Sequence, residues 1–187
     1  MEFERALYSR RAVREYADRP VDEAVLRQLI DAAIQAPSAV DEQPWIFSIV
    51  RDPILLARIS EAAKAHVLAG ALARSLPEHL HDRLADANFD VLYHAPVLIV
   101  ISSASPGPWA PINCALAAEN LMLAARDAGL GSCWIGLVQD WLTTPEGKAA
   151  IGAPETCLPV APIILGHPLN QPAPVARKEP EIIWVGR

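Results

Sequence analysis

Apolar residues recur along the chain with two different periods, and the switches between them mark out the elements. Phe3 and Leu7 share one face of a short helix over 2–9. After Asp22, placed as a cap, Val25, Leu26, Leu29, Ile30, Ala33 and Ile34 repeat at helical spacing until Pro37 stops the pattern. "IFSIV" at 46–50 predicts a strand. Asp52 followed by Pro53 opens another helix, with an apolar stripe of Leu55, Leu56, Ile59, Ala63 and Val67. Residues 66–94 mix charges, histidines and leucines, and fit one broken helix or two that cover something. "VLIVI" at 97–101 is an unbroken, β-branched run, which predicts a central strand covered on both faces. The run "APINCALAAENLMLAARDAG" from 110, ended by Gly129, is apolar nearly all round and predicts a helix packed on most faces. Strands are predicted within "SCWIGLV" and "VAPIILG", on either side of a short helix begun at Thr144 and Pro145. A proline-rich tail after Pro172 leads to a last short strand, "IIWV". No repeat or linker divides the chain, so the expectation is a single α+β domain over 1–187.

Composition sharpens this picture. Hydrophobic residues make up 52% and charged residues 20% of the 187, which hints at a large buried interface. A formal charge of −6 argues against wholesale nucleic-acid binding, which rests on a net basic surface. Cys114, Cys133 and Cys157 are odd in number and form no CxxC pair, as suits a reducing compartment. "MEFERALYSRRAV" lacks the apolar core of a signal peptide, and no apolar run approaches the ~18 residues of a membrane span. The expectation is a cytoplasmic protein with no membrane partner.

Several chemistries fail on spacing. His79 and His81 stand on different faces of any helix, and no HExxH or paired Cys and His pattern supplies a metal site. "GLGSCWIG" has the wrong glycine spacing for a dinucleotide loop and precedes no helix, and there is no GxxxxGK or GxSxG. Cys133, with nothing basic adjoining it in sequence, reads as inert core. What remains is a set of cations in an acidic chain: Arg10, Arg11 and Arg14 near the start, Arg177 and Lys178 near the end. Either cluster alone reads as a solvated face. Together they suit a phosphomonoester, whose near-double charge and three acceptor oxygens call for several guanidinium or ammonium groups. "APSAVDEQPW" at 36–45 is a loop stiffened by two prolines. It reads either as a helix stop with Trp45 as a core plug or as a rigid ligand-holding loop.

"SRRAVREY", "APSAVDEQPWIF", "ENLMLAARDAGLGSCWIG" and "APIILGHP" followed by "ARKEP" resemble, in order, the motifs of the FMN-dependent nitroreductase family. The similarity spans nearly the whole chain and is weakest over about 66–94. It implies an αβα sandwich with a mostly antiparallel sheet, working as an intertwined homodimer with FMN at the subunit interface. It implies an enzyme that passes electrons from NADH or NADPH to small electrophiles such as nitroaromatics or quinones by a ping-pong mechanism. Other flavin reactions on the same scaffold, or a non-enzymatic flavin-binding dimer, are the alternatives.

Carried over residue by residue, Arg10 and Arg11 would meet the FMN phosphate and ribityl end, and Arg14 the pyrimidine side of the ring. Arg177 and Lys178 would complete the phosphate site. Pro37, Ser38 and Ala39 would lie against the flavin of the other subunit, with Asp41 and Gln43 nearby. Trp134, Ile135, Gly136 and Leu137 would pass its dimethylbenzene and N5 side, offering a backbone N–H. Two positions depart from the family pattern: Ala12 replaces the usual serine and Asp41 the usual asparagine. A carboxylate near a developing anion opposes reduction unless it is paired, protonated or turned away.

Overall fold

The computed structural model describes residues 3–186. The elements are α1 Phe3–Ser9, α2 Glu23–Ala33, β1 Trp45–Val50, α3 Pro53–Ala69, α4 Glu78–Ala85, β2 Val97–Ser103, α5 Ala110–Asp127, β3 Gly131–Trp134, α6 Gln139–Leu142, α7 Pro145–Ala150 and β4 Leu158–Gly166. The strands stand in the order β1-β2-β4-β3, and every neighbouring pair is antiparallel.

The unbroken apolar run of β2 has the cause its composition suggested, since all seven of its positions are buried. Alternate side chains go to opposite faces. Val97, Ile99 and Ile101 join Leu26, Leu29, Cys114 and Leu121 in the core under α2 and α5. Leu98 and Val100 join Ile59, Ala63, Leu84 and Leu142 in the core under α3, α4 and α6. The result is an αβα sandwich, as the resemblance implied.

Local chemistry sets the boundaries. Asp52 accepts from the N–H groups of Ile54 and Leu55 and starts α3, with Pro53 at its first turn. Thr144 accepts from the Gly147 N–H and starts α7. Asp22 occupies the cap position of α2, but its side chain makes no capping bond. Residues 66–94 resolve into the end of α3, a 3₁₀ turn over Ala71–Ser75, and α4.

The strand placed within "SCWIGLV" is present as β3, and it ends at Trp134, where the chain turns toward a 3₁₀ helix over Gly136–Val138. Two expectations need correction. "IIWV" forms no strand. Ile182, Ile183, Trp184 and Val185 are exposed instead and lie outside any strand among the described residues. Helix α5 is not covered on most faces within one chain: Asn113, Cys114, Ala117, Leu121 and Ala125 are buried, whereas Ile112 and Leu116 are exposed beside Trp109.

One crossing positions the site. The segment after α1 runs along the outer edge of β3, where Ala12 bridges Ser132 in parallel and the Val13 N–H donates to the Ser132 carbonyl at 3.0 Å. Gly131 permits this approach. A Cβ there would stand 2.7 Å from the Val13 side chain. Tyr16 then bridges Pro168, and the Ala17 N–H donates to the His167 carbonyl, so the chain's first loop is tied to the end of β4.

Candidate active site

Two groups of residues form at opposite ends of α5. At its C-terminal end, α1 brings up Arg10 and Arg11. The Arg10 Nε lies 3.4 Å from Glu119 Oε1. Arg11 Nη1 donates to the carbonyls of Tyr8 at 2.9 Å and Arg10 at 2.6 Å. Its Nε is buried and has no partner among the described residues. A buried guanidinium N–H without an acceptor is costly and calls for an anion.

A third arginine joins them that the sequence reading missed. Arg126, in the last turn of α5, donates through Nε to Ser9 Oγ at 2.9 Å and through Nη1 to Gln171 Oε1 at 2.8 Å. It lines one narrow cleft with Ser9, Arg10, Arg11 and Ser132. Its sequence signal is that of a basic residue answering the helix dipole, which hides the tertiary role.

Arg14 and the stretch after β3 lie farther along the same edge. Burial pushes the Cys133 thiol up, while the nearby guanidinium groups of Arg14 and Arg10 pull it down. Sequence showed nothing basic beside Cys133; in space both arginines reach it, yet burial dominates and the thiol stays protonated and inert. Ile135 donates its N–H to Pro162 at 2.8 Å and Val138 donates to Ile135 at 3.3 Å. Of the four residues 134–137, Ile135 is therefore committed. A Cβ on Gly136 would meet nothing within 4 Å, so its backbone faces open space. The exposed Ala12 opens a pocket of about 240 Å³ beside Arg14 and Pro172.

The second group sits at the N-terminal end of α5. Asn113, 1% exposed, accepts from the Ala39 N–H at 3.0 Å through Oδ1, and its carbonyl accepts from the Trp45 indole at 2.9 Å. Trp45 is thus both plug and anchor. The Gln43 N–H donates to Ser38 Oγ at 2.9 Å, and Gln43 Nε2 donates to Asp41 Oδ1 at 2.8 Å. Val40, Asp41 and Gln43 take left-handed backbone at φ 49°, 56° and 48°. Non-glycine residues seldom do so, and the strain marks a loop held in one shape by its surroundings. The Asp41 carboxylate is turned to Gln43, and among the described residues it makes no ion pair with Arg14. Pro37 is exposed at the head of this loop.

Asn113 and Arg126 lie thirteen residues apart on one helix, about 20 Å at 1.5 Å per residue. Within one chain the loop of Pro37, Ser38 and Ala39 and the cleft at Arg126 thus stand at opposite ends of α5. Arg177 and Lys178 lie in the exposed tail beyond β4, and no bond or ion pair joins them to Arg10 or Arg11 among the described residues.

The cleft of Arg10, Arg11 and Arg126 suits an anionic group. The nitroreductase family model matches residues 7–166, and the chain belongs to that family. A protein of Methanothermobacter thermautotrophicus, provisionally named an NADH dehydrogenase/NAD(P)H nitroreductase, is 33% identical over 89% of this chain and 78% of its own. The NADH dehydrogenase of Thermus thermophilus is 30% identical over 96% of this chain and 94% of its own. The crystal structure of a Bacteroides fragilis nitroreductase with bound FMN superposes with a TM-score of 0.79 at 28% identity, covering 100% of this chain and 96% of that one. Among the described residues no helix is long and apolar enough to cross a membrane, and no cluster of three potential ligands could hold a metal ion.

Proposed function

We propose that the protein is an FMN-dependent oxidoreductase that takes electrons from NADH or NADPH and passes them to small electrophiles such as nitroaromatics or quinones. The observation that carries the cofactor is the buried Arg11 Nε, unpartnered among the described residues, in a cleft with Arg10 and Arg126. Three unpaired, buried cysteines support a reducing, cytoplasmic setting.

Bound FMN supplies a two-electron carrier between a nicotinamide donor and an acceptor that take turns on one ring face. The residues do the rest. Arg10 and Arg11, joined by Arg177 and Lys178, would hold the phosphate in charge-assisted hydrogen bonds. Arg14 would place a cation where reduction adds negative charge to the ring. Gly136 and Leu137, rather than Ile135, whose N–H is committed to Pro162, would offer the backbone donors to the flavin. Asp41, held by Gln43, leaves the charge of Arg14 intact.

The working unit in this reading is a homodimer. Two copies of α5 packed antiparallel bring the Asn113 end of one beside the Arg126 end of the other, which closes the 20 Å gap in the site. The same packing covers Ile112 and Leu116, along with the exposed Phe3 and Leu7 of α1. It also gives the apolar tail around Trp184 a surface on which to dock.

Steady-state kinetics test the mechanism. Varying the nicotinamide donor at several fixed quinone concentrations should give parallel double-reciprocal lines, as one shared ring face requires. Intersecting lines, which report both substrates bound at once, would demand two separate pockets.

A further inference from the structure

The loop from Asp86 to Ala95 carries no residue of the proposed flavin site, yet it is held unusually firmly. Lys64 of α3, 9% exposed, donates through Nζ to the carbonyls of Phe89 at 2.7 Å and Asp86 at 3.0 Å. Ser60 Oγ accepts from the Val91 N–H at 3.0 Å. The Asp90 carboxylate accepts from the N–H groups of Leu92 and His94, both at 2.8 Å, and its Oδ2 stands 3.1 Å from His94 Nδ1. These bonds sustain left-handed backbone at Tyr93, φ 55°, and His94, φ 52°. An aromatic residue in that region is strained, and the strain persists only because the surroundings over-determine it.

The strained backbone delivers the Tyr93 ring to Arg14. The Arg14 Cζ stands 5.7 Å from the ring centroid. Phe89 buttresses the ring edge-on, at 5.6 Å between centroids and 84° between planes, and Arg83 stacks 4.4 Å over Phe89. Such distances lie within the range in which a guanidinium is attracted to a ring face. Arg14 has a long, exposed side chain, and among the described residues no carboxylate pairs with it. A carboxylate would fix the guanidinium just as well but would cancel the charge that a reduced flavin needs. A ring face orients the cation and leaves it a cation.

We propose that Tyr93 is a positioning residue: it holds the Arg14 guanidinium, with its charge intact, toward the pyrimidine side of the bound flavin. The proposal rests on the reading that Arg14 meets the flavin. The test measures two-electron midpoint potentials, by spectroelectrochemistry, of FMN-saturated wild type, Arg14→Ala, Tyr93→Phe, Tyr93→Asn and the double variant Arg14→Ala/Tyr93→Asn. Asparagine accepts left-handed backbone, so Tyr93→Asn removes the ring and spares the loop. It should lower the preference for reduced over oxidised flavin about threefold to tenfold, which is a fall of about 14 to 30 mV. Tyr93→Phe keeps the ring face and should match wild type. The double variant should match Arg14→Ala alone, because Tyr93 acts through Arg14.

A wild-type potential in Tyr93→Asn, with a shifted one in Arg14→Ala, would overturn the role of Tyr93 and spare that of Arg14. An unshifted Arg14→Ala would overturn both, at the level of the flavin reading itself. A further fall in the double variant would mean that Tyr93 acts on the ring directly, which also overturns positioning. Should Tyr93→Asn not be recovered folded, Tyr93→Gly, which frees the backbone altogether, gives the same readout.

Discussion

Leu116→Arg should yield a folded monomer that has lost FMN. Leu116 is 41% exposed in one chain and stands on the open face of α5 one turn from Ile112, which is 50% exposed. It faces solvent in the single chain, so an arginine there disturbs neither core. In a two-fold interface the same change appears twice, because one patch meets its own copy. Burying an unpaired charge costs about 3 kcal/mol or more, about 6 for the two copies, so the dimer dissociation constant should rise about ten-thousandfold or more. Flavin should leave with the partner, since in the proposed dimer the Asn113 and Arg126 ends of the site come from different copies. Light scattering with cofactor absorbance on the same sample reads both outcomes. A monomer that stays yellow would put the whole site in one chain, and an undisturbed dimer would move the interface off α5.

Arg11→Ala should weaken FMN binding while sparing riboflavin. The Arg11 Nη1 is tied to two carbonyls of its own segment, which fixes the group before any ligand arrives, and among the described residues its buried Nε lacks an acceptor. A hydrogen bond to a charged group contributes about 1.5 to 3 kcal/mol, so FMN affinity should fall about tenfold to a hundredfold. Riboflavin lacks the phosphate and should bind wild type and variant alike. Arg11→Lys should recover little, because an ammonium cannot reproduce the planar fork. Equal losses for FMN and riboflavin would move Arg11 away from the phosphate and toward the ring.

How far the sequence could be read followed from where each signal lives. β2 was legible because burial on both faces writes an unbroken apolar run, and α2 because its stripe has helical period and a proline beyond it. Loop 86–95 was not, since what fixes it are Lys64 and Ser60, on a helix more than twenty residues away in sequence. The strained backbone of Val40, Asp41 and Gln43 carries no glycine to announce it. "IIWV" has strand composition, but composition alone does not make a strand, and among the described residues this stretch forms none. The cation clusters at the two chain ends suggested a phosphate. The third arginine of the cleft, Arg126, looked like an ordinary helix end, and its partners Ser9 and Gln171 lie far from it in sequence.

The central claim is that this chain holds FMN and accepts electrons into it from a reduced nicotinamide. The most direct measurement is the visible spectrum of the purified protein, loaded with FMN and held without oxygen, during stepwise addition of NADH and then NADPH. The protein should be yellow, and its flavin absorbance should bleach in proportion to at least one of the two donors and return when a quinone is added. A protein that takes up no FMN, or that binds it and stays fully oxidised with both donors, would contradict it.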